Sequence, residues 1–200
     1  MARNEADRPT VLITGSSGFL GEAIAEGLRD RYEVIGLDVR KPKRPVGEME
    51  TIEVDLTSQE SVDAAVKEAA KRAGGRIASV IHLAAYYDTT GEDNPKYDAV
   101  TVQGTRRLLA ALRQFDTEQF VFSSTLLVHA PSPEKGVRID EDSPIDPAWA
   151  YPQSKAETEE LIARERGGIR TVILRLAGVY DEDCRAAFVA QQIARIFERL

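Results

Sequence analysis

The feature that most constrains this chain is a set of three glycines between a β-rich apolar run and a helical pattern. Gly15, Gly18 and Gly21 follow the run at residues 10–13 and precede the pattern at residues 23–28. Gly15 allows a tight turn, Gly18 lets a pyrophosphate approach the backbone, and Gly21 lets the helix pack closely on the strand. The N-terminus of such a helix carries unpaired N–H groups and the positive end of the dipole. The segment therefore predicts a phosphate-binding turn.

An acidic residue follows where a ribose-binding carboxylate is expected. Asp38 ends a second apolar run, residues 34–37, and lies 17 residues after Gly21. A carboxylate at the tip of the second strand accepts both hydroxyls of an adenosine ribose and repels a 2′-phosphate. NAD is therefore the predicted cofactor, and NADP is the less favoured choice. Basic residues that could bind a 2′-phosphate follow at once, namely Arg40, Lys41, Lys43 and Arg44.

A third motif consists of a tyrosine and a lysine four residues apart. Tyr151 and Lys155 lie on one face of a predicted helix at residues 151–166. The ordinary pKa of tyrosine, about 10, is too high for a base at neutral pH. A neighbouring ammonium favours the phenolate, so we expect Lys155 to lower the pKa of Tyr151. The pair then predicts a general acid/base.

Together these motifs resemble the short-chain dehydrogenase/reductase superfamily, specifically its extended branch of nucleotide-sugar epimerases, dehydratases and related enzymes such as UDP-glucose 4-epimerase. The resemblance extends from about residue 10 to residue 180. Further matching segments are Asp55-Leu56, His82-Leu83-Ala84-Ala85, Phe120-Val121-Phe122-Ser123-Ser124-Thr125, and residues 175–180. The resemblance implies an α/β fold with a doubly wound parallel sheet (Rossmann fold) and NAD as the cofactor.

The resemblance also assigns roles to individual residues. Tyr151 would be the acid/base, Lys155 would hold the nicotinamide ribose, and Thr125 would hydrogen-bond the reacting oxygen. Ser124 is the second candidate for the role of Thr125. The cofactor-binding residues would be Gly15, Ser17, Gly18, Phe19, Leu20, Gly21, Asp38, Asp55, Leu56, Leu83, Ala84, Ala85, Ser123, Tyr151 and Lys155. No metal-ligand spacing is present, so no metal site is predicted.

Three departures from the family's pattern bear on function. Thr101 stands where the family often has asparagine, and His129 stands where it often has tyrosine. His129 could contact substrate or fill space at a loop edge. Leu126 and Leu127 occupy the positions where nucleotide-sugar dehydratases have Asp-Glu. Apolar side chains cannot act as general acid or base, so dehydration of a nucleotide sugar is disfavoured.

Strands and helices alternate along the chain, which predicts a parallel sheet covered on both faces. The predicted strands are 10–14, 33–38, 51–54, 79–83, 119–123 and 169–175, and the predicted helices are 19–30, 58–73, 94–114, 151–166 and 184–200. Two hundred residues favour one NAD(P)-binding domain over residues 1–200, with a substrate-side loop at 126–150. The smaller C-terminal substrate domain of the family is expected to be absent or truncated, with no complete second domain.

Composition narrows the classes of partner. A net charge of −7 and a pI near 5.0 argue against nucleic acid or an anionic membrane as the main partner. Apolar runs stay well short of the length of a membrane span, and residues 1–9 are too charged for a secretory signal. The single Cys184 suits a reducing compartment. We therefore expect a cytoplasmic protein with a small-molecule substrate.

Three functions remain open at this point. The favoured one is an NAD-dependent epimerase that acts on a nucleotide sugar with Tyr151 as acid/base. The second is an NAD(P)-dependent reductase or dehydrogenase of another small carbonyl or alcohol. The third is a non-catalytic dinucleotide-binding sensor or scaffold.

The resemblance further implies a homodimer formed by helices 94–114 and 151–166. Val100, Leu108 and Leu112 recur at helical spacing in the first of these helices, and this stripe would either mark a partner surface or pack on the sheet of the same chain. The C-terminal helix adds an apolar stripe of its own, made of Ala186, Val189, Ile193, Ile196, Phe197 and Leu200.

Overall fold

A computed structural model describes residues 8–42, 47, 49–88, 92–132, 136–181 and 187–198. The strands are β1 (Thr10–Thr14), β2 (Glu33–Asp38), β3 (Glu50–Glu53), β4 (Arg76–Ile77), β5 (Ser79–His82), β6 (Asp116–Thr117), β7 (Gln119–Thr125) and β8 (Arg170–Leu176). The α-helices are α1 (Phe19–Leu28), α2 (Gln59–Arg72), α3 (Gln103–Leu112), α4 (Ala150–Glu165) and α5 (Ala187–Phe197). A π-helical segment, Tyr97–Val102, leads directly into α3.

The central sheet has six strands in the order β3-β2-β1-β5-β7-β8, and every neighbouring pair is parallel. The chain builds outward from β1 in one direction and then from β5 in the other. The strand order therefore reverses between β1 and β5, and ligands of such sheets bind outside the carboxyl ends of the strands at this point. The predicted α/β doubly wound parallel sheet (Rossmann fold) is confirmed.

Both faces of the central strands are buried, because successive side chains of a strand point to opposite sides. Leu12 joins a large cluster with Phe120, Phe122 and apolar residues of α2, α3 and α4. Ile13 joins a smaller cluster with Ala25 of α1. Burial on both faces explains why these strands read as continuous apolar runs in the sequence.

Four observed helices start or end within a few residues of their predicted bounds. The predicted helix 94–114 differs in kind, because its first turns are π-helical. In α3, which follows this segment, Gly104 packs so closely on Leu56 that a Cβ on the glycine would lie 2.9 Å from the Cβ of Leu56. The short pair β4 and β6, with two residues per strand, was not predicted from the sequence.

The two leucines of the stripe in helix 94–114 do not form a partner surface. Leu108 and Leu112 are fully buried against the sheet of their own chain. Helical spacing alone does not reveal which face of a helix meets the sheet, and for these two residues the second explanation, packing on their own sheet, applies. In α5, Ile193, Ile196 and Phe197 are exposed. Ala186 and Leu200 of the predicted stripe lie outside the described residues, and the structure gives no side-chain description of Val189.

Candidate functional site

The turn between β1 and α1 depends on two glycines. Gly15 has φ +70°, a conformation that side chains rarely adopt, and a Cβ on it would lie 2.9 Å from the backbone nitrogen of Ala84. A Cβ on Gly21 would lie 2.6 Å from the Cα of Ser16 and closer still to the carbonyl oxygen of Gly15. Gly18 is the N-cap of α1 and leaves its N-terminus free of a capping side chain. Phe19 and Leu20 then begin the helix.

Asp38 lies across this turn at the end of β2. Its Oδ2 accepts a hydrogen bond from the backbone N–H of Ser17 at 2.9 Å, and its Oδ1 accepts one from the N–H of Arg40 at 3.1 Å. The Ser17 hydroxyl donates to the carbonyl oxygen of Arg40 at 2.7 Å. These bonds fix the carboxylate relative to the glycine turn and leave lone pairs for ribose hydroxyls. The basic residues Lys43 and Arg44 lie outside the described residues.

Asp55 and Leu56 follow β3 on the same edge of the sheet. The Asp55 carboxylate accepts hydrogen bonds from the hydroxyl and the N–H of Thr57, and these bonds lower its pKa. Leu56 is buried, and its carbonyl oxygen accepts a hydrogen bond from Arg107 at 3.1 Å. The Asp55 carboxylate is therefore exposed beside the buried side chain of Leu56.

The segment Leu83, Ala84 and Ala85 follows β5 and meets the glycine turn. The N–H of Ala84 donates to the hydroxyl oxygen of Thr14 at 3.2 Å, and the N–H of Leu83 donates to the carbonyl oxygen of Thr14. The two segments therefore meet where the strand order reverses.

His82 is fully buried beneath this junction and joins two threonines. Its Nδ1 lies 2.6 Å from the Thr14 hydroxyl, and its Nε2 lies 2.9 Å from the Thr105 hydroxyl. The Thr105 hydroxyl donates to the carbonyl oxygen of Thr101 at 2.6 Å and must accept from the histidine. The Thr14 hydroxyl accepts from Ala84 and donates to Nδ1. This network assigns a neutral ring with its hydrogen on Nε2, and burial lowers the His82 pKa to about 3.

Thr101, which replaces the family's asparagine, holds the backbone beyond this junction. Its hydroxyl oxygen accepts a hydrogen bond from the N–H of Tyr86 at 3.1 Å. Because Tyr86 directly follows Ala85, the threonine anchors the chain segment that leaves β5. The role of this position is thus local and structural in the present chain.

Lys155 lies on α4 and is almost completely buried, at 2% exposure. Its Nζ donates to the carbonyl oxygen of Ser123 at 2.7 Å and lies 4.7 Å from the ring centre of Phe122. Burial lowers the pKa of Lys155 to about 7, and the nearby Glu159 carboxylate opposes that shift. The predicted cofactor residues Ser123 and Lys155 are therefore brought together.

Tyr151 lies one turn earlier on α4, and the Thr125 hydroxyl interacts with its phenol. Burial raises the pKa of Tyr151 to about 12, with a further contribution from Tyr87, and the interaction with Thr125 opposes the rise. The expectation that Lys155 lowers this pKa is wrong for this structure. The ammonium is directed at Ser123 and lies 5.9 Å from the Tyr151 ring centre. Tyr151 is consequently a protonated hydroxyl at neutral pH.

The hydroxyl of Ser124, the second candidate for the role of Thr125, has a hydrogen-bond partner of its own. Its hydroxyl donates to the Glu159 carboxylate, which also accepts from Arg175 Nη2 at 2.8 Å and from Nε at 3.2 Å. Both members of this ion pair are largely buried. The arrangement favours Thr125 as the hydroxyl beside Tyr151 and makes Glu159 a link between α4, β7 and β8. Sequence reasoning missed Glu159, although its spacing of four from Lys155 placed it on the same helix face.

His129 belongs to this network and is buried. Its Nε2 accepts from Arg175 Nη1 at 3.2 Å, and its Nδ1 donates to the carbonyl oxygen of Ser143 at 3.0 Å. Arg175 Nη1 also donates to the carbonyl oxygen of Glu141 at 3.1 Å. This buried position agrees with the second of the two expectations for His129, that it fills space at a loop edge. The loop after β7 is thereby bonded to β8.

Three further tyrosines surround the catalytic candidate. The ring of Tyr87 lies edge-to-face with that of Tyr151, with 4.9 Å between ring centres, and the ring of Tyr97 lies 6.4 Å from it. Tyr86 packs edge-to-face on Tyr97 at 4.9 Å. No pattern in the sequence predicted this cluster, because its members come from three separate segments.

Within the ranges that the structure describes, no helix is long and apolar enough to cross a membrane. The same residues contain no group of three or more histidine, cysteine, aspartate or glutamate side chains that could hold a metal ion.

The strand order, the glycine turn and the Tyr-Lys pair on the helix before the last strand define a dinucleotide-binding protein of the short-chain dehydrogenase/reductase class. The model of the "NAD dependent epimerase/dehydratase family" matches residues 11–200, so the chain belongs to that family. This result confirms the family resemblance and supports NAD as the cofactor of the family.

Two of the similar proteins are a steroid dehydrogenase and a putative sugar-nucleotide epimerase. The chain is 34% identical to human (Homo sapiens) 3 beta-hydroxysteroid dehydrogenase type 7, over 98% of the chain and 55% of the relative. It is 32% identical to a putative UDP-glucose 4-epimerase of Methanocaldococcus jannaschii, over 86% of the chain and 56% of the relative. The chain thus spans about half the length of these relatives.

Solved structures agree with this assignment. The UDP-glucose 4-epimerase of Thermus thermophilus, in complex with NAD, superposes with a TM-score of 0.71 at 32% identity and covers 83% of this chain and 54% of its own. A short-chain dehydrogenase/reductase superfamily protein from Agrobacterium tumefaciens with bound NAD gives 0.68 at 31% identity, over 83% of this chain and 48% of its own.

Proposed function

We propose that residues 1–200 form one NAD-binding domain of an enzyme that interconverts a secondary alcohol and a ketone, with Tyr151 as the proton carrier. The observation that carries this proposal is the placement of Tyr151 one helical turn before the buried Lys155, whose Nζ lies 5.9 Å from the Tyr151 ring centre, with Thr125 as the hydroxyl that interacts with Tyr151. All three residues lie at the carboxyl edge of the sheet, where this class of sheet binds ligands. A sensor or scaffold would not need this pair, so we favour an enzyme.

The residues present fit NAD. Gly15 and Gly21 are required by the close packing of the turn's own backbone, and the N-terminus of α1, which no side chain caps, favours the pyrophosphate. Asp38 would hold the adenosine ribose, and Asp55 with Leu56 would lie beside the adenine. The nicotinamide half would lie along Leu83, Ala84, Ala85 and Ser123, with Lys155 at its ribose. When bound, NAD supplies the hydride acceptor and donor of the reaction.

The pKa of Tyr151 determines which protonation state of its phenol is populated at neutral pH. With a pKa raised to about 12, the phenol holds its proton at neutral pH and can donate it to a substrate carbonyl oxygen. Thr125 provides a second hydrogen bond to the same oxygen. In the reverse direction Tyr151 must first lose its proton, so alcohol oxidation should accelerate as the pH rises.

Our first candidate within this class is a nucleotide-sugar epimerase, on the strength of the UDP-glucose 4-epimerase relatives. The second candidate is a dehydrogenase of another secondary alcohol. An exposed apolar surface favours this second candidate, because Leu126 and Leu127 follow Thr125 directly and are 38% and 46% exposed. The similarity to 3 beta-hydroxysteroid dehydrogenase type 7 agrees with an apolar surface at that position.

One experiment separates these functions. The protein is incubated with NAD and either UDP-glucose or a 3β-hydroxysteroid, and both NADH formation and the sugar products are measured. An epimerase converts the sugar without net NADH, whereas a dehydrogenase accumulates NADH with its alcohol. Failure to bind NAD in a calorimetric titration would contradict the proposal, as would a Tyr151→Phe variant of unchanged activity.

A further inference from the structure

Tyr87 lies beside the proposed acid/base although nothing so far gives it a role. Its ring is edge-to-face with the Tyr151 ring, with centres 4.9 Å apart and planes inclined by 74°. Tyr87 is nevertheless 60% exposed. A large aromatic ring is thus held against the catalytic candidate while most of its surface remains open.

The neighbours of Tyr87 fix this position. The N–H of Tyr86 is bonded to Thr101, and the Tyr86 ring packs edge-to-face on Tyr97. The chain segment after Ala85 is therefore anchored at Tyr86, and the following residue, Tyr87, packs its ring on Tyr151. The contacts that place Tyr87 are thus a backbone bond of its neighbour and a ring contact of its own.

An exposed aromatic ring beside the proposed acid/base residue favours a particular kind of substrate. The face of an aromatic ring carries negative charge density and attracts the weakly positive hydrogens of C–H groups. A saturated ring presents several such hydrogens on one side. Leu126 and Leu127, exposed directly after Thr125, add an apolar surface at the same edge of the sheet.

We propose that Tyr87 is a substrate-contacting residue that packs on the C–H face of a saturated ring, so that the substrate is a cyclic secondary alcohol. This inference rests on the proposed function, because it assumes that the reacting oxygen meets Tyr151. The ring can be the pyranose of a nucleotide sugar or the alicyclic ring of an apolar alcohol. Both present the same C–H face, and the test below distinguishes them.

The test compares Tyr87→Ala with Tyr87→Phe, which keeps the ring and serves as the matched control. Both variants and the unsubstituted protein are saturated with NAD, and binding is measured by saturation-transfer NMR and titration. The cyclic probes are UDP-glucose, a 3β-hydroxysteroid and cyclohexanol. The acyclic control is the open-chain secondary alcohol with the carbon count of cyclohexanol.

We expect Tyr87→Ala to weaken binding of the cyclic probe about tenfold, because it removes both the aromatic contact and the buried area. The acyclic control should change by less than about twofold, and Tyr87→Phe should bind as the unsubstituted protein does. The ring C–H protons of the bound probe should receive the strongest saturation. The probe whose affinity falls in Tyr87→Ala, UDP-glucose or the steroid, shows whether the bound ring is a pyranose or an alicyclic ring.

The inference is overturned if no cyclic probe binds, if Tyr87→Ala binds cyclic probes unchanged, or if cyclic and acyclic alcohols lose affinity equally. The last result would mark Tyr87 as a residue that only positions Tyr151. Binding is read without turnover, so this outcome is separate from the proposed function. That function fails instead if Tyr151→Phe retains full activity.

Discussion

Replacing Gly21 by alanine should destabilise this protein, even though alanine is the better helix former. Gly21 and Gly27 both lie in α1, so they form a matched pair. Alanine is favoured over glycine within a helix by about 1 kcal/mol. At Gly27 a new Cβ would meet no atom within 4 Å, so Gly27→Ala should stabilise the fold by about 0.5–1 kcal/mol.

At Gly21 the same methyl group meets backbone. Its Cβ would lie 2.6 Å from the Cα of Ser16 and 2.8 Å from the Ser16 carbonyl carbon. These atoms form the turn at the end of β1 and cannot rotate away as a side chain can. Overpacking typically costs about 1–3 kcal/mol, and contacts this short with backbone place Gly21→Ala in the upper part of that range, about 2–3 kcal/mol, which exceeds the gain in helix propensity. We expect a net loss of about 1–2 kcal/mol.

Thermal unfolding followed by circular dichroism measures this difference. The two variants should differ by about 1.5–3 kcal/mol, or about 3–12 °C in melting temperature for a chain of this length. Calorimetric titration should show weaker NAD binding for Gly21→Ala and unchanged binding for Gly27→Ala. A Gly21→Ala variant that melts at or above the unsubstituted protein, with full NAD affinity, would refute the reasoning.

Four further outcomes are expected. Tyr151→Phe should lower turnover by at least about a hundredfold while calorimetry shows near-normal NAD affinity, and retention of a tenth of the rate would contradict the acid/base role. NAD should bind more tightly than NADP, and Asp38→Ala should reduce that preference; equal affinity in the unsubstituted protein speaks against the carboxylate. Because burial lowers the Lys155 pKa to about 7, the unfolded chain binds more protons between pH 7 and 10.5. Unfolding free energy from denaturant titrations should therefore rise with pH in that window, and the rise should be smaller in Lys155→Met. Light scattering should report a homodimer, and a single 22.0 kDa species would disprove it.

The glycine turn and the position of Asp38 beside it could be predicted because most of their geometry is local. Gly21 is required by the backbone of Gly15 and Ser16, Gly15 itself has a positive φ, and Asp38 lies where β2 ends. Alternating apolar runs likewise identified the six strands of the main sheet, since buried parallel strands have this composition.

The chemistry of the Tyr-Lys pair could not be predicted in the same way. The pKa of Tyr151 depends on its burial and on Tyr87 and Tyr97, which come from distant parts of the sequence. The direction of the Lys155 side chain depends on the carbonyl oxygen of Ser123 at the end of another element. Spacing on one helix gives the neighbours of a residue on that helix, but not the dielectric around it or the contacts from other elements.

The hydrogen-bonded row through His82 restricts how this core could be redesigned. Replacing His82 by phenylalanine would leave the Thr14 hydroxyl hydrogen without an acceptor in a buried space, at about 1–3 kcal/mol, and would remove the bond that the Thr105 hydroxyl accepts. Exchanging all three for apolar residues of similar shape would remove that loss. The amide of Ala84 and the carbonyl of Thr101 would then lose their bonds to the row. An apolar replacement of this core would therefore loosen the floor of the proposed cofactor site from the helix behind it.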